Sequence, residues 1–251
     1  NNRIELVLSW LLSIELKLMM NGTVKKNGVN GNGHANGHSL ADAYGDAHMT
    51  TNPETPMRED AFELSDEEKQ IKIEAHFKEI LDTLGMDLTD DSIQGTPRRV
   101  AKMFVKEIFA GLNPKNEPAI TLFDNKFGYH QMLVEKNIKL LTFCEHHFLP
   151  IYGVAHIAYM ANGKVIGLSK LNRIVEYFAK RPQVQERLTV QIANHLRNVL
   201  QTEDVAVYLE AKHMCVQLRG VEHNDSSTVT SKYSGKFLEE ATRNEFLKTI
   251  S

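Results

Sequence analysis

The sequence predicts an α+β fold: an antiparallel sheet carrying two helices on one face, with further helices ahead of it. Three observations carry this expectation. Apolar residues recur at helical spacing in two early and two later windows, each bounded by start and stop signals. Residues 118–123, 132–143 and 151–160, and then 204–219 and 227–237, read instead as extended runs. The two later helical windows are separated only by Arg181-Pro182, which makes them neighbours packed together on the sheet.

In order, Ser65 and Glu68 form a capping box, and Ile73, Phe77, Ile80, Leu81 and Leu84 share one face before Gly85 ends the helix. Thr96-Pro97 opens a second helix, with Val100, Met103, Phe104 and Ile108 as its stripe and Gly111 at its close. Asn162-Gly163 is a hairpin-type turn signal after the third extended run. Ser169 is expected to cap a helix whose buried side is Leu171, Ile174, Val175 and Phe178. The longer helix after Pro182 buries Val184, Leu188, Ile192, Leu196 and Val199. Residues 204–219 are expected to run strand, turn or bulge, strand, and residues 240–249 to form a closing helix.

The 251 residues hold one sizeable domain, residues 61–251, behind a tail over 1–60. Residues 21–38 (NGTVKKNGVNGNGHANGH) cannot bury enough apolar surface to offset their ordering entropy, so disorder is expected there, with His34, His38 and His48 as solvated histidines. Residues 4–18 are apolar but too short and too interrupted by Glu5 and Glu15 for a membrane span. They read as an upstream artefact preceding Met19-Met20, or else as an interfacial helix. A net charge of −3 gives no reason to expect nucleic acid or membrane as a partner, so any anionic ligand needs a local basic cluster. Only two cysteines are present, which argues for a reducing, cytoplasmic compartment rather than a disulfide scaffold.

Each cysteine stands beside histidine: Cys144-Glu145-His146-His147, and His213-Met214-Cys215. Positions three apart on a turn share a side, so Cys144 and His147 converge; strand alternation would put His213 and Cys215 on one face. Two sulfurs and an imidazole suit zinc, and three protein ligands leave a fourth position for water, whose pKa zinc lowers to about 7. A closed structural zinc with His213 or His146 as fourth ligand, a disulfide, and two buried apolar cysteines stay open on spacing alone.

Several long strings resolve this. CEHHFLPIYG (144–153), GLSKLNRIVEYFAKRPQVQERLT (167–189), HMCVQLRG (213–220), SSTVTS (226–231) and TPRRVAKMF (96–104) resemble the motifs of the GTP cyclohydrolase I family, in order across roughly residues 65–250. The resemblance implies a T-fold whose sheets join between subunits into a pentameric barrel, two rings stacking as a homodecamer with active sites at subunit interfaces. It implies GTP as substrate, Zn2+ as cofactor, and 7,8-dihydroneopterin triphosphate and formate as products, the first step of tetrahydrofolate and pterin biosynthesis. Cys144, His147 and Cys215 resemble the zinc ligands, and His146, His213 and Ser169 the catalytic groups. Gln185 and Glu186 resemble the guanine-binding pair; Ser169, Lys170, Arg173, Arg219 and Arg99 resemble the triphosphate set.

The chemistry fits those residue types. A histidine titrates near neutrality and suits protonation of guanine N7, a role assigned to His213 with His146 moving the proton of the attacking water. The Glu186 carboxylate matches the adjacent N1–H and 2-amino donors of guanine; adenine would leave it unpaired at a cost of ~2–4 kcal/mol. Glu145 reads as an orienting or surface carboxylate, and Arg187 as part of a solvated helix face. A pterin-binding relative with a structural zinc, and a cyclohydrolase that stops at another product, are the competing readings.

Overall fold

The computed structural model describes residues 52–161 and 163–251. The apolar segment 4–18, the Asn/Gly-rich stretch and its histidines, and Asn162 lie outside the described residues.

The first helix, α1 (Asp66–Thr83), opens on the expected capping box: Glu68 N donates to Ser65 Oγ at 3.2 Å, and Ser65 N donates to Glu68 Oε2 at 2.8 Å. Its apolar face is not buried, however. Ile80 is 50% and Leu84 71% exposed, and the face borders a groove of about 530 Å³ whose other wall is Phe104, Val105, Phe109, Leu112 and Phe148. Helix α2 (Thr96–Met103) has Pro97 in its first turn and passes into a π-helical turn at Phe104–Ile108, so the predicted stripe is only partly α-helical.

Strands β2 (Met132–Cys144), β3 (Pro150–Met160), β6 (Val205–His213) and β7 (Thr228–Tyr233) form an antiparallel meander, with the two-residue β5 (Pro182–Gln183) parallel to the end of β2. Side chains alternate across this sheet. Ile151, Ala155, Ile157 and Tyr159 of β3 and Val205, Val207, Leu209 and Ala211 of β6 face helices α3 (Leu168–Ala179) and α4 (Gln185–Leu200). Leu171, Ile174, Val175, Leu188, Ile192 and Leu196 complete that core at 0% exposure. At the β3–β6 contact only glycine fits: a Cβ on Gly153 would stand 2.0 Å from Glu210 O. The other face carries Ala158 and Ala206, covered by Phe237 and by Phe246 of the last helix, α6 (Glu240–Ile250). The mixed α+β expectation is therefore met.

Four local expectations are corrected. Strand β1 is only Leu122–Asp124; it pairs with β4 (Lys164–Ile166), so the turn at Gly163 (φ 75°) moves the chain between sheets and closes no β3 hairpin. Ser169 does not cap α3: the cap is Gly167, the helix starts directly after β4 at Leu168, and Ser169 sits exposed in the first turn. The extended reading of 204–219 stops at His213. Its partner there is Ile151, one residue from the Pro150 start of β3, so the ladder ends and the chain curls into the short helix α5 (Met214–Gln217). The last extended run ends at Tyr233, followed by a 3-10 turn at Gly235–Leu238.

Residues 52–55, assigned to the tail by composition, hydrogen-bond to the domain. Arg187 Nε donates to Asn52 O at 2.7 Å, Gln191 Nε2 to Pro53 O at 3.3 Å, and Arg181 Nη1 to Thr55 Oγ1 at 3.4 Å. Among the described residues no helix is long and apolar enough to cross a membrane.

Candidate active site

The site grows from the β2–β3 connection. Cys144 ends β2, residues 145–147 turn, and Phe148 N donates back to Cys144 O at 2.8 Å. Phe148 lies in the left-handed region (φ 52°), an unfavourable place for an aromatic residue. Its ring packs on Phe104 and Phe109 (centroids 6.2 and 5.1 Å), which holds it there. This one helical turn puts Cys144 and His147 on the same side, as their spacing predicts. Cys215 arrives from the opposite direction, on α5 rather than on a strand. The strand-parity argument for it therefore fails, yet the convergence it was meant to explain is present.

The ligating atoms of Cys144, His147 and Cys215 all lie within 4.8 Å of one another. Both cysteines are unbridged, so both sulfurs are available as ligands. Two sulfurs and an imidazole gathered this tightly fit a tetrahedral thiophilic cation such as zinc. Burial pushes the Cys215 thiol up to about 11, and the neighbouring Cys144 sulfur adds to the effect. The thiol is thus protonated at neutral pH, and a bound metal must displace that proton. We expect apparent zinc affinity, measured by chelator competition, to rise by at least about tenfold per pH unit from pH 6 to 8. A flat profile would contradict thiolate ligation at Cys215.

Both catalytic candidates border the cluster. His146 Nδ1 is 3.7 Å from Cys144 Sγ and its Nε2 is 3.8 Å from Glu145 Oε1. His213, at the end of β6, donates from Nε2 to Gln185 Oε1 at 2.8 Å. That tautomer follows from Gln185, whose amide nitrogen is committed to Thr228 O (2.9 Å) and Thr230 Oγ1 (3.1 Å), leaving only its oxygen for the ring. Burial lowers the pKa of His213, opposed by the Glu186 carboxylate.

The remaining residues divide. Arg219 joins the cluster, donating from Nη1 to His147 Nε2 at 2.6 Å. Glu186 is exposed in the first turn of α4. Gln185, only 1% exposed, is turned inward onto His213, while Glu186 beside it is exposed. Arg99 hydrogen-bonds locally, to Thr96 Oγ1 at 2.8 Å. Ser169, Lys170 and Arg173 begin α3, and Asn172 beside them donates to Glu135 Oε1 near the start of β2, while Cys144 ends that strand. Helix and strand rises put this group on the order of 20 Å from Cys144 within one chain.

One residue of this neighbourhood escaped the sequence reading. Arg187 is buried, its side chain 3% exposed, and both its terminal nitrogens reach the Glu145 carboxylate. The available signal was spacing: Arg187 lies three residues past Val184 and next to Leu188, at the border of the buried stripe.

A mixed α+β chain with a Cys-His-Cys cluster flanked by two histidines defines an enzyme-like site in which groups able to hold a metal stand beside groups able to transfer protons. A model of the family described as GTP cyclohydrolase I matches residues 73–251. The chain is 59% identical over 215 residues to "GTP cyclohydrolase 1" of Flavobacterium johnsoniae, covering 86% of this chain and 96% of the relative. It is 54% identical over 183 residues (72% and 84%) to the protein of that name from Shewanella denitrificans, and 50% over 195 residues (77% and 88%) to that from Aeromonas salmonicida. The chain belongs to the GTP cyclohydrolase I family and is an enzyme of that family.

Proposed function

We propose that this enzyme uses zinc to open and reclose the guanine ring of GTP, giving 7,8-dihydroneopterin triphosphate and formate. The observation that carries the reading is the Cys144, His147, Cys215 cluster beside His146 and His213 in a chain of this family. Zinc, when bound, supplies Lewis acidity and makes water nucleophilic at neutral pH. His213 protonates N7 from its imidazolium form: the Nδ1 proton passes to N7, the Nε2 proton stays on Gln185, and the ring returns to the neutral Nε2–H tautomer. Gln185 acts as a positioning residue in this account. His146 moves the proton of the attacking water. Ser169 and His213 serve the proton transfers of the later ring closure. Glu186 accepts from guanine N1–H and the 2-amino group, and Ser169, Lys170, Arg173, Arg219 and Arg99 hold the triphosphate.

Within a single chain Arg219 sits at the metal cluster, whereas Ser169, Lys170 and Arg173 at the start of α3 stand on the order of 20 Å from Cys144. This supports active sites shared between neighbouring subunits of a homo-oligomer, read as a decamer of two pentamers. Two further features support assembly: among the described residues β7 has an unpaired outer edge, and β2 is paired on its outer side only at Phe143 and Cys144. The uncovered face of α1 is a third. A cytoplasmic location is part of the same reading.

The test is direct. Purified zinc-loaded protein is incubated with GTP, the product oxidised, and neopterin fluorescence and formate measured. Both should appear in equal amounts; formate without a pterin would establish a different cyclohydrolase product.

A further inference from the structure

Resting on that reading, we propose that Glu145 and Arg187 form a positioning pair that fixes the turn carrying His146 and His147 for catalysis, itself braced by the segment around Asn52. Glu145 stands between a metal-cluster cysteine and a catalytic histidine, and nothing in the reaction as written uses it. Its carboxylate receives both Arg187 terminal nitrogens, one at 3.3 Å and the other closer, a planar two-point contact that fixes orientation as well as distance. The third donor, Arg187 Nε, is taken by Asn52 O at 2.7 Å, so the guanidinium cannot swing away without breaking three bonds. Glu145 Oε1 in turn lies 3.8 Å from His146 Nε2.

A second link runs in parallel. Glu145 N donates to Gln183 O at 3.0 Å, Gln183 Nε2 donates to Gln191 Oε1 at 3.0 Å, and Gln191 Nε2 reaches Pro53 O at 3.3 Å. Both links end on the same short segment, residues 52–55, and both begin on the residue between Cys144 and His146. A solvated ion pair would have neither the burial nor the braced geometry. The reaction as written gives the pair no group to bind or protonate, so it acts through the turn.

The experiment uses the full chain with Glu145→Gln, Arg187→Ala, Arg187→Lys and the double variant Glu145→Gln/Arg187→Ala. Zinc affinity is read by chelator competition, kcat and KM by formate release from GTP, and folding by circular dichroism. Glu145→Gln and Arg187→Ala should each lower zinc affinity and kcat by about 10- to 100-fold with KM nearly unchanged. The double variant should lose little more than either single one, because the two residues act as a unit. Arg187→Lys should recover part of the loss. Additive losses, a rise in KM at constant kcat, or wild-type values in the variants would overturn the proposal. If Arg187→Ala fails to fold, the isosteric Glu145→Gln decides alone by the same criteria. Should the wild type release no formate from GTP, the proposed reaction falls, while the zinc competition still decides the positioning pair.

Discussion

Two inactive variants of this chain should restore activity to each other when assembled together. Cys215→Ser removes a sulfur from the metal cluster. Lys170→Ala/Arg173→Ala removes charge from the start of α3, at the far end of the helix that leads to Cys144 through β5. Each alone should fall below about a thousandth of wild-type turnover, since one lacks the means to activate water and the other the means to hold the triphosphate. If one subunit supplies the metal and its neighbour the phosphate clamp, a co-expressed equal mixture creates some sites with both halves intact. Random assembly around a ring makes these roughly one quarter of all sites. Turnover near that fraction is the expected result. A mixture no more active than its separate parts would place the whole site within one chain, against the distance between the two groups.

The second large effect concerns base choice. Glu186→Ala should lower kcat/KM for GTP by roughly 30- to 900-fold, the range for losing a charged acceptor that matches two donors. The same variant should lose much of its preference for GTP over ATP in competition assays, because the carboxylate discriminates by being left unpaired with adenine. Glu186 is exposed in a single chain and lies in the first turn of α4, where the helix end favours a negative charge. Because it is exposed, removing it should cost at most about 1 kcal/mol of stability and leave the fold and zinc content intact. An unchanged GTP-to-ATP preference would assign guanine recognition to other groups.

Much of the fold was legible because the sheet and its two covering helices bury continuous stripes. Leu171, Ile174 and Val175 on α3, and Leu188, Ile192 and Leu196 on α4, announce their own packing by spacing. The Ser65–Glu68 capping box was equally local and is formed. What escaped depends on distant partners. The end of the β6 ladder is set by where β3 begins, at Pro150, so nothing within 213–219 reveals that Cys215 lies on a helical turn. The α1 stripe reads as buried but lacks a full cover among the described residues. Arg187 reads as surface because its burial depends on Glu145, 42 residues away, and on Asn52, 135 residues away.

At the site, the local part of the metal set was readable and the long-range part was not. Cys144 and His147 share one turn, so their convergence follows from spacing. The arrival of Cys215 needed the whole β2–β3–β6 register, and its expected strand geometry was wrong even though its destination was right. Gln185 shows the opposite case: adjacent to Glu186 in sequence, it faces the other way, because neighbouring positions on a helix lie about 100° apart.

The central claim is that Cys144, His147 and Cys215 hold the zinc on which turnover depends. Metal content and formate release should be measured together on wild type, Cys215→Ser and His147→Ala, purified in parallel. The account predicts about one zinc per chain in the wild type, and joint loss of zinc and of GTP turnover in both variants. Full zinc occupancy in both variants, or undiminished turnover without zinc, would contradict it.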